Sequence, residues 1–303
     1  MSDYHLPVLL DQSVEGLVTN PQGIYVDVTF GGGGHSRRIL EQLDVNGRLF
    51  AFDQDADALA NTIDDSRFTL LHENFKYMKN FLRLHGVSSI DGVLADLGVS
   101  SHQFDEAKRG FSTRFNAELD LRMDCRQTLM AKDVVNTTEE EDLKTIFADF
   151  GELPNAHILA RDICIARSRN PIITTFDLKK AIEKHIPRGQ ENKWLARVFQ
   201  ELRIEVNGEL EALKVMLTQA VEMLNEGGRL VVISYHSLED RLVKNIMKTG
   251  NLDGEVKKDF YGNFIVPLKP ITRKPITPSE SEMADNPRSR SAKLRIAEKL
   301  PTK

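Results

Sequence analysis

The sequence predicts an α/β protein with a mainly parallel, Rossmann-like sheet and a helical domain inserted into it. Strand-like and helix-like segments alternate over residues 24–96, and the alternation resumes at Glu209. Between them, residues 104–208 have the pattern of helices and loops. Parallel strands need long crossover connections, and helices usually supply them. We therefore expect a core domain formed by 1–103 and 209–303, with 104–208 as the insertion.

The first half of the core domain contains four predicted strands. Each is a short run rich in β-branched, aromatic and aliphatic residues, and the four cover 24–30, 48–53, 68–72 and 90–96. A helix that Asp11 can cap precedes the first strand. Apolar residues at helical spacing predict three further helices, which cover about 35–43, 55–64 and 76–85.

The second half of the core domain begins with a helix from Glu209 to Leu224, which Gly227 and Gly228 are expected to stop. The most hydrophobic strand of the chain follows at 229–234, and then a helix at about 238–247. Two late β-like segments, 264–268 and 293–297, predict an antiparallel pair at the edge of the sheet.

Composition narrows the function classes. The chain has 303 residues and a net charge of −5, so nucleic-acid binding would need a locally basic surface. Two isolated cysteines, Cys125 and Cys164, argue against a zinc site and a disulfide scaffold and fit a reducing cytoplasm. There is no signal-peptide pattern and no apolar run of membrane-spanning length.

The glycine turn Gly31–Gly34 is typical of a nucleotide-like ligand site. It fails the dinucleotide pattern, which requires a third glycine, and it lacks the lysine of a phosphate-binding loop. Asp53, at the end of the second strand, is placed to accept hydrogen bonds from ribose hydroxyls. These features favour a phosphate-free nucleoside, S-adenosyl-L-methionine, while a nicotinamide or other nucleotide enzyme stays open. Asp55 and Asp57 are interpreted as solvated carboxylates at the start of a helix, where the helix dipole favours them. No metal ion is expected.

Long motifs then make the chain resemble a known family. The matching segments are HLPVLLDQSVEGL at 5–17, DVTFGGGGHS at 27–36, DLGVSSHQFDEAKRGFS at 96–112, LDLRMD at 119–124, VFQELRIEVNGEL at 198–210, GGRLVVISYHSLEDRLVK at 227–244 and NPRSRSAKLRIAEK at 286–299. The chain is similar to the RsmH (MraW) family of bacterial 16S rRNA (cytosine-N4)-methyltransferases. The resemblance implies a seven-stranded class I methyltransferase sheet with an inserted helical domain. It implies methylation of one cytidine in the decoding region, in the cytoplasm.

The resemblance also implies a set of S-adenosyl-L-methionine contacts, which are Gly33, Gly34, His35, Asp53, Phe75, Asp96 and Gln103. The sequence departs from the family pattern in three places. The turn has glycine where a larger residue is frequent, His102 stands where proline is common, and TRFNAELDLRMD replaces a more acidic, glycine-containing stretch. None of these changes removes an implied ligand residue, but the last bears on how the insertion approaches RNA.

The expected chemistry needs polar acceptors, because the cytosine N4 lone pair is delocalised into the ring. The [DNS]PP[YF] motif of many amino-methyltransferases is absent, since the fourth strand ends in DLGV. Asp96 is the candidate acceptor or a ligand contact, with Ser100 nearby. His236 is a candidate contact to the target base, and Tyr235 could stack on it. Alternatively, Ser237 caps the following helix and the acidic pair after it complements the helix dipole.

Basic residues outnumber acidic ones by eleven to five in 256–303, and arginines and lysines also cluster within the insertion. For each of these basic residues, the sequence is equally consistent with contact to an RNA phosphate and with a solvated position on the protein surface. The expected partner is 16S rRNA within the small ribosomal subunit, with its target cytidine unstacked, and no membrane. A DNA amino-methyltransferase and an RNA-binding assembly factor remain alternatives. The oligomeric state is left open, a homodimer included.

Overall fold

The computed structural model describes residues 7–149, 153, 155–256, 258–262 and 265–301. The chain divides into two compact units. The first unit combines Met1–Gly98 with Leu210–Lys303, and the second is Val99–Glu209. The second unit thus contains the expected helical insertion together with the short segment that precedes it.

A seven-stranded sheet forms the centre of the first unit. Its strands are β1 (Ile24–Asp27), β2 (Arg48–Phe52), β3 (Phe68–Leu71), β4 (Ile90–Asp96), β5 (Leu224–Ser234), β6 (Leu268–Pro270) and β7 (Lys293–Lys299). Their order is β3-β2-β1-β4-β5-β7-β6. Strands β1 to β5 pair in parallel, and β7 runs antiparallel to both of its neighbours. The expected class I methyltransferase sheet is therefore confirmed.

The α-helices are divided between the units. In chain order they are α1 (Leu10–Leu17), α2 (Gly34–Gln42), α3 (Met78–Leu84), α4 (Ser101–Asp105), α5 (Ala131–Thr137), α6 (Glu140–Asp149), α7 (Ala156–Arg169), α8 (Thr175–Ala181), α9 (Glu191–Asn207), α10 (Glu209–Met223), α11 (Ser237–Thr249) and α12 (Glu280–Asp285). Helices α4 to α9 belong to the second unit. The others belong to the first, apart from the first residue of α10.

The sheet is buried on both faces because its strands alternate between two cores. Val93 packs in a core with residues of α3, α10 and α11, whereas the next residue, Leu94, packs in a core with residues of α1 and α2. The same alternation runs through β5, where Val232 and Ile233 enter different cores. A strand that is buried on both faces has a continuous run of hydrophobic residues, which explains the sequence RLVVIS at 229–234.

One predicted helix has a different form. The segment expected as an α-helix at 55–64 is a 3-10 helix at Ala56–Asn61. Its N-cap is Asp55, whose side chain accepts a hydrogen bond from the backbone N–H of Asp57. Capping by an aspartate favours a short helical start, and tight 3-10 turns rarely extend beyond a few residues.

The predicted strand 264–268 is wrong in its position. Phe264 lies outside the described residues, and the strand β6 begins only at Leu268. Pro267 has no backbone N–H and cannot donate to a ladder, so pairing with β7 starts at the next residue. The antiparallel pair itself is confirmed, with Leu268 opposite Lys299.

The second unit has its own hydrophobic core, built from α5, α6, α7 and α9. Val135, Phe147 and Leu202 are fully buried in it. Helix α8 begins with a capping box, in which the side chain of Thr174 accepts a hydrogen bond from the backbone N–H of Asp177 and the Asp177 side chain accepts one from the Thr174 N–H.

Candidate functional site

The carboxyl ends of the parallel strands bring the candidate residues of the first unit to one edge of the sheet. Asp96 ends β4, and its register partner in β5 is Ile233, two residues before Tyr235. Asp27 ends β1, and its register partner in β2 is Ala51, two residues before Asp53. Ligands of open α/β sheets bind beyond this edge, and the structure brings Asp53 and Asp96 to it.

The glycine turn joins β1 to α2 and leaves no space for side chains at two positions. Gly33 is the N-cap of α2 and has φ of 75°, a left-handed conformation that favours glycine. A Cβ on Gly33 would lie 2.5 Å from Nη1 of Arg37, and one on Gly34 would clash with the ring of Pro7. A Cβ on Gly31 would meet nothing within 4 Å. The Cα side of Gly31 therefore faces open space.

Asp53 holds this turn as well as facing the ligand edge. Its Oδ2 accepts a hydrogen bond from the Gly31 N–H at 2.7 Å, and its Oδ1 accepts one from the Asp55 N–H at 2.9 Å. Burial raises the pKa of Asp53 to about 6, although these two donors act in the opposite direction. Each carboxylate oxygen keeps a further acceptor position, so Asp53 fits a pair of ribose hydroxyls.

Phe75 follows β3 and begins a 3-10 helix, Phe75–Tyr77, at the same edge. Its ring is partly buried and packs against the core of the first unit. The preceding Asn74 donates from its side-chain amide to Gln54 at 2.6 Å, which ties the end of β3 to the end of β2. A partly buried aromatic ring at the strand edge that also holds Asp53 is suited to pack against an adenine.

Asp96 is held by two neighbours at the end of β4. The Tyr235 hydroxyl donates to its Oδ1 at 2.8 Å, and its own backbone N–H donates to Oγ1 of Thr29 at 2.6 Å. Burial raises the pKa of Asp96 to about 6, while His35 and Tyr235 act in the opposite direction. The side chain remains 22% exposed. The result is an oriented carboxylate that is more basic than usual and still accessible.

His35 has a structural side chain. Its Nε2 lies 3.1 Å from the carbonyl oxygen of Val8, to which it donates, and its Nδ1 lies 4.0 Å from Oδ2 of Asp96. Burial lowers the pKa of His35, although Asp96 acts in the opposite direction. The ring is therefore neutral at pH 7. A cofactor contact by His35 would come from its backbone N–H in the first turn of α2, which has no acceptor within the helix.

The segment after β5 corrects one expectation. Ser237 is the first residue of α11, and His236 is its N-cap. Glu239 caps the helix instead, because its Oε2 accepts hydrogen bonds from the backbone N–H groups of Tyr235 at 2.9 Å and His236 at 3.4 Å. Asp240 binds Arg295 through two hydrogen bonds, of 2.7 and 3.1 Å. Both acids therefore have structural roles.

The imidazole of His236 is largely buried next to Glu239. Its Nε2 lies 3.2 Å from Oε1 of Glu239, and its side chain is only 11% exposed. Although this distance is that of an ion pair, neither ring nitrogen has a hydrogen-bond partner among the described residues. Buried polar groups are normally hydrogen-bonded, so the ring nitrogens of His236 are available for a hydrogen bond to a ligand. His236 therefore remains a candidate contact to the target base.

Ser100 and Gln103 lie in the second unit. The Ser100 hydroxyl accepts from the Gln103 N–H at 3.2 Å, and the Gln103 side-chain oxygen accepts from the Ser100 N–H at 3.1 Å. This reciprocal capping box starts α4. Both residues thus have a local structural role that the sequence analysis did not anticipate. The side chain of Ser101 lies outside the described residues.

Several basic residues of the expected RNA surface are bound within the protein. Arg109 is buried and donates to the carbonyl oxygens of Arg122 and Met123. Arg167 donates to the carbonyl oxygens of Val135 and Thr138. These two arginines hold loops of the second unit together, so phosphate contact has to come from other residues. Lys257 and Lys303, two of the basic residues counted above, lie outside the described residues.

The polar contacts that connect neighbouring strand ends are not among the sequence-based predictions, in which Tyr235 stacks on the target base and is not paired with Asp96. This pairing could have been predicted, because Asp96 ends β4 and Tyr235 follows β5, the adjacent parallel strand, at the same edge. Asn61 is a further unpredicted contact, since its side-chain amide donates to the Gly31 carbonyl at 3.0 Å.

Within the part of the chain that the structure describes, no cluster of three or more histidine, cysteine, aspartate or glutamate side chains is placed to hold a metal ion. In the same part, no helix combines the length and the apolar character needed to cross a bilayer.

Comparisons with known proteins show to which family the chain belongs. The model of the MraW methylase family matches residues 2–300. The chain is 58% identical over 298 residues to a ribosomal RNA small subunit methyltransferase H of Flavobacterium johnsoniae, with 98% of each chain covered. It is 55% identical over 300 residues to the protein of that name from Christiangramia forsetii, with 99% of each covered. The chain therefore belongs to the MraW methylase family, whose cofactor is S-adenosyl-L-methionine.

Proposed function

We propose that the protein methylates the N4 amine of one cytidine in the decoding region of 16S rRNA, within the small ribosomal subunit and in the cytoplasm. The observation that carries this proposal is the Asp96 carboxylate, which is oriented by Tyr235 and stays accessible at the edge that also holds the glycine turn and Asp53. The relatives' printed name, ribosomal RNA small subunit methyltransferase, supports the choice of substrate.

The cofactor contacts are assigned to residues whose geometry fits S-adenosyl-L-methionine. Asp53 would accept the ribose hydroxyls, Phe75 would pack on the adenine, and the backbone of Gly33 and Gly34 would line the remainder. When bound, S-adenosyl-L-methionine supplies an electrophilic methyl group. The protein's own contribution is to hold the target amine in line with it, because orientation provides much of the rate enhancement in such reactions.

Asp96 would act on the amine directly. Its Oδ1 is taken by the Tyr235 hydroxyl, while among the described residues Oδ2 has the His35 ring 4.0 Å away as a polar neighbour. Oδ2 can therefore accept a hydrogen bond from N4 and take the proton that the amine releases on methylation. His236 would contact the base, and Ser100 remains proposed as a further polar group.

The test of the proposed function is nucleoside mass spectrometry of 16S rRNA from cells with and without the protein. Loss of N4-methylcytidine from one position of the decoding region is expected. In a second arm, the purified protein receives labelled donor with small subunits, naked 16S rRNA or DNA. Preferential labelling of DNA would make the protein a DNA amino-methyltransferase. Full rescue of a deletion strain by an inactive variant would favour an assembly factor.

The pH dependence should report the ionisation of Asp96. The pKa of Asp96 is about 6, and only the ionised carboxylate accepts the proton, so kcat/KM for RNA should rise with pH through about 6 and then level off. Saturating S-adenosyl-L-methionine removes the contribution of Asp53, whose pKa lies in the same range. A rate that is flat from about pH 5 to 8 would contradict the role of Asp96 as acceptor.

Tyr235→Phe removes the hydroxyl that donates to Asp96 and leaves the ring. Hydrogen bonds to charged groups contribute about 1.5–3 kcal/mol, so kcat should fall by roughly 10- to 100-fold. The hydroxyl lowers the pKa of Asp96, so the midpoint of the pH profile should also move to higher pH. Tyr77→Phe, at an exposed tyrosine, is the matched control. An unchanged midpoint would leave Tyr235 a packing role only.

A further inference from the structure

A second concave feature of the first unit lies between α11 and the paired strands β6 and β7. It is a cavity of about 350 Å³, which we name the basic pocket. Four of its eight lining residues are basic, namely Lys244, Lys248, Arg273 and Arg295, and none of the eight is acidic. The basic pocket therefore concentrates positive charge on a chain whose net charge is −5.

The charge of the basic pocket is largely uncompensated. Arg295 is bound to Asp240, and Lys293 lies 3.6 Å from the same carboxylate. Among the described residues, Lys244, Lys248 and Arg273 form no ion pair. Lys244 and Lys248 are four residues apart on α11, which places them on one face of the helix. Like charges held together with fewer acids than bases attract an anion.

The rest of the lining narrows the class of anion. Met247, Pro270 and Ile296 contribute apolar surface, and Thr272 contributes a hydroxyl. A phosphate attached to a sugar has this combination of a charged group and an apolar ring edge. Lys248 lies roughly 16 Å along α11 from Ser237, at the 1.5 Å rise per residue of an α-helix. The Lys248 end of the basic pocket is therefore several nucleotides away from a base held beside His236, whereas Arg295 lies nearer, at Asp240 in the first turn of α11.

We propose that the basic pocket binds a phosphodiester group of the RNA substrate, several nucleotides from the methylated cytidine. This inference rests on the proposed function only in taking RNA as the ligand. Contacts to phosphates position a nucleic acid without reading its sequence, so the basic pocket sets how firmly and in which register the RNA is held. Specificity for the cytidine belongs to the site at the strand ends.

The test compares two double variants with the same change in charge. Lys248→Gln with Arg273→Gln removes two exposed positive charges from the basic pocket. Lys269→Gln with Lys274→Gln removes two exposed positive charges outside its lining. Each protein is titrated with 16S rRNA between about 50 and 200 mM salt, the range over which phosphate contacts show their salt dependence. Calorimetry with S-adenosyl-L-methionine serves as the check of folding.

The pocket variant should weaken RNA binding by about tenfold more than the control, and should reduce the slope of log K against log salt by about 1–2. Its KM for RNA should rise while kcat stays unchanged. Equal weakening by both double variants would overturn the proposal. The single variant Lys248→Glu, at an exposed lysine of the basic pocket, should likewise weaken RNA binding. Should the wild-type protein bind 16S rRNA through the basic pocket but transfer no methyl group, the proposed function fails and the basic pocket stands.

Discussion

Replacing Asp96 by asparagine is expected to lower kcat for methyl transfer by about 10²- to 10⁴-fold, the contribution typical of a positioned proton acceptor. Asparagine has nearly the same size, and its oxygen can still accept the Tyr235 hydroxyl that now lies 2.8 Å from Oδ1. It cannot take a proton from the amine. The measurement is single-turnover transfer of a labelled methyl group to small ribosomal subunits.

The control for this variant separates chemistry from binding. Asp96→Asn should bind S-adenosyl-L-methionine with a Kd close to the wild-type value, because the change keeps an acceptor at the same place. Asp57→Asn, at an exposed aspartate of the same unit, should be fully active. A normal kcat in Asp96→Asn would show that Asp96 is not the proton acceptor.

Asp53→Ala should weaken the binding of S-adenosyl-L-methionine by roughly 10²- to 10⁴-fold. Two hydrogen bonds from ribose hydroxyls to a charged acceptor contribute about 3–6 kcal/mol together. The structure adds a second effect, because Asp53 also accepts the N–H groups of Gly31 and Asp55. Leaving them without an acceptor should lower the free energy of unfolding by about 1–3 kcal/mol. Calorimetry and denaturant titration measure the two effects.

Asp53→Asn resolves these two roles of Asp53. It retains one oxygen for a backbone N–H but loses the charge, so its stability should be closer to wild type than its affinity is. Asp57→Ala controls for loss of a carboxylate in the following 3-10 helix. Undiminished affinity in Asp53→Ala would remove Asp53 from the cofactor site.

The sheet and the main residues of the strand edge follow from patterns that depend on short stretches of sequence. Alternating strands and helices fix a parallel sheet, and its carboxyl edge then collects Asp53 and Asp96 by geometry alone. Strand β4 begins and ends at the predicted residues, 90 and 96. The glycine turn was recognisable because positive φ at Gly33 and the contact of Gly34 with Pro7 exclude other residues.

Side-chain partners could not be read in the same way. The capping of α11 by Glu239, and not by Ser237, depends on where the chain leaves β5. The bond between Tyr235 and Asp96 joins residues 139 positions apart. The burial of Arg109 depends on the loop that receives it. Charge and spacing in the sequence are the same whether an arginine binds a carbonyl of its own chain or a phosphate.

The insertion of the second unit between β4 and β5 has a consequence for folding order. These strands are neighbours in the sheet, yet the whole of Val99–Glu209 separates them in the chain. Closing a flexible loop of that length carries an entropy cost that grows with the logarithm of its length. The second unit has its own core, so its early folding would replace that loop with a compact body. We therefore expect the pairing of β5 with β4, which brings Tyr235 to Asp96, to follow the folding of the second unit.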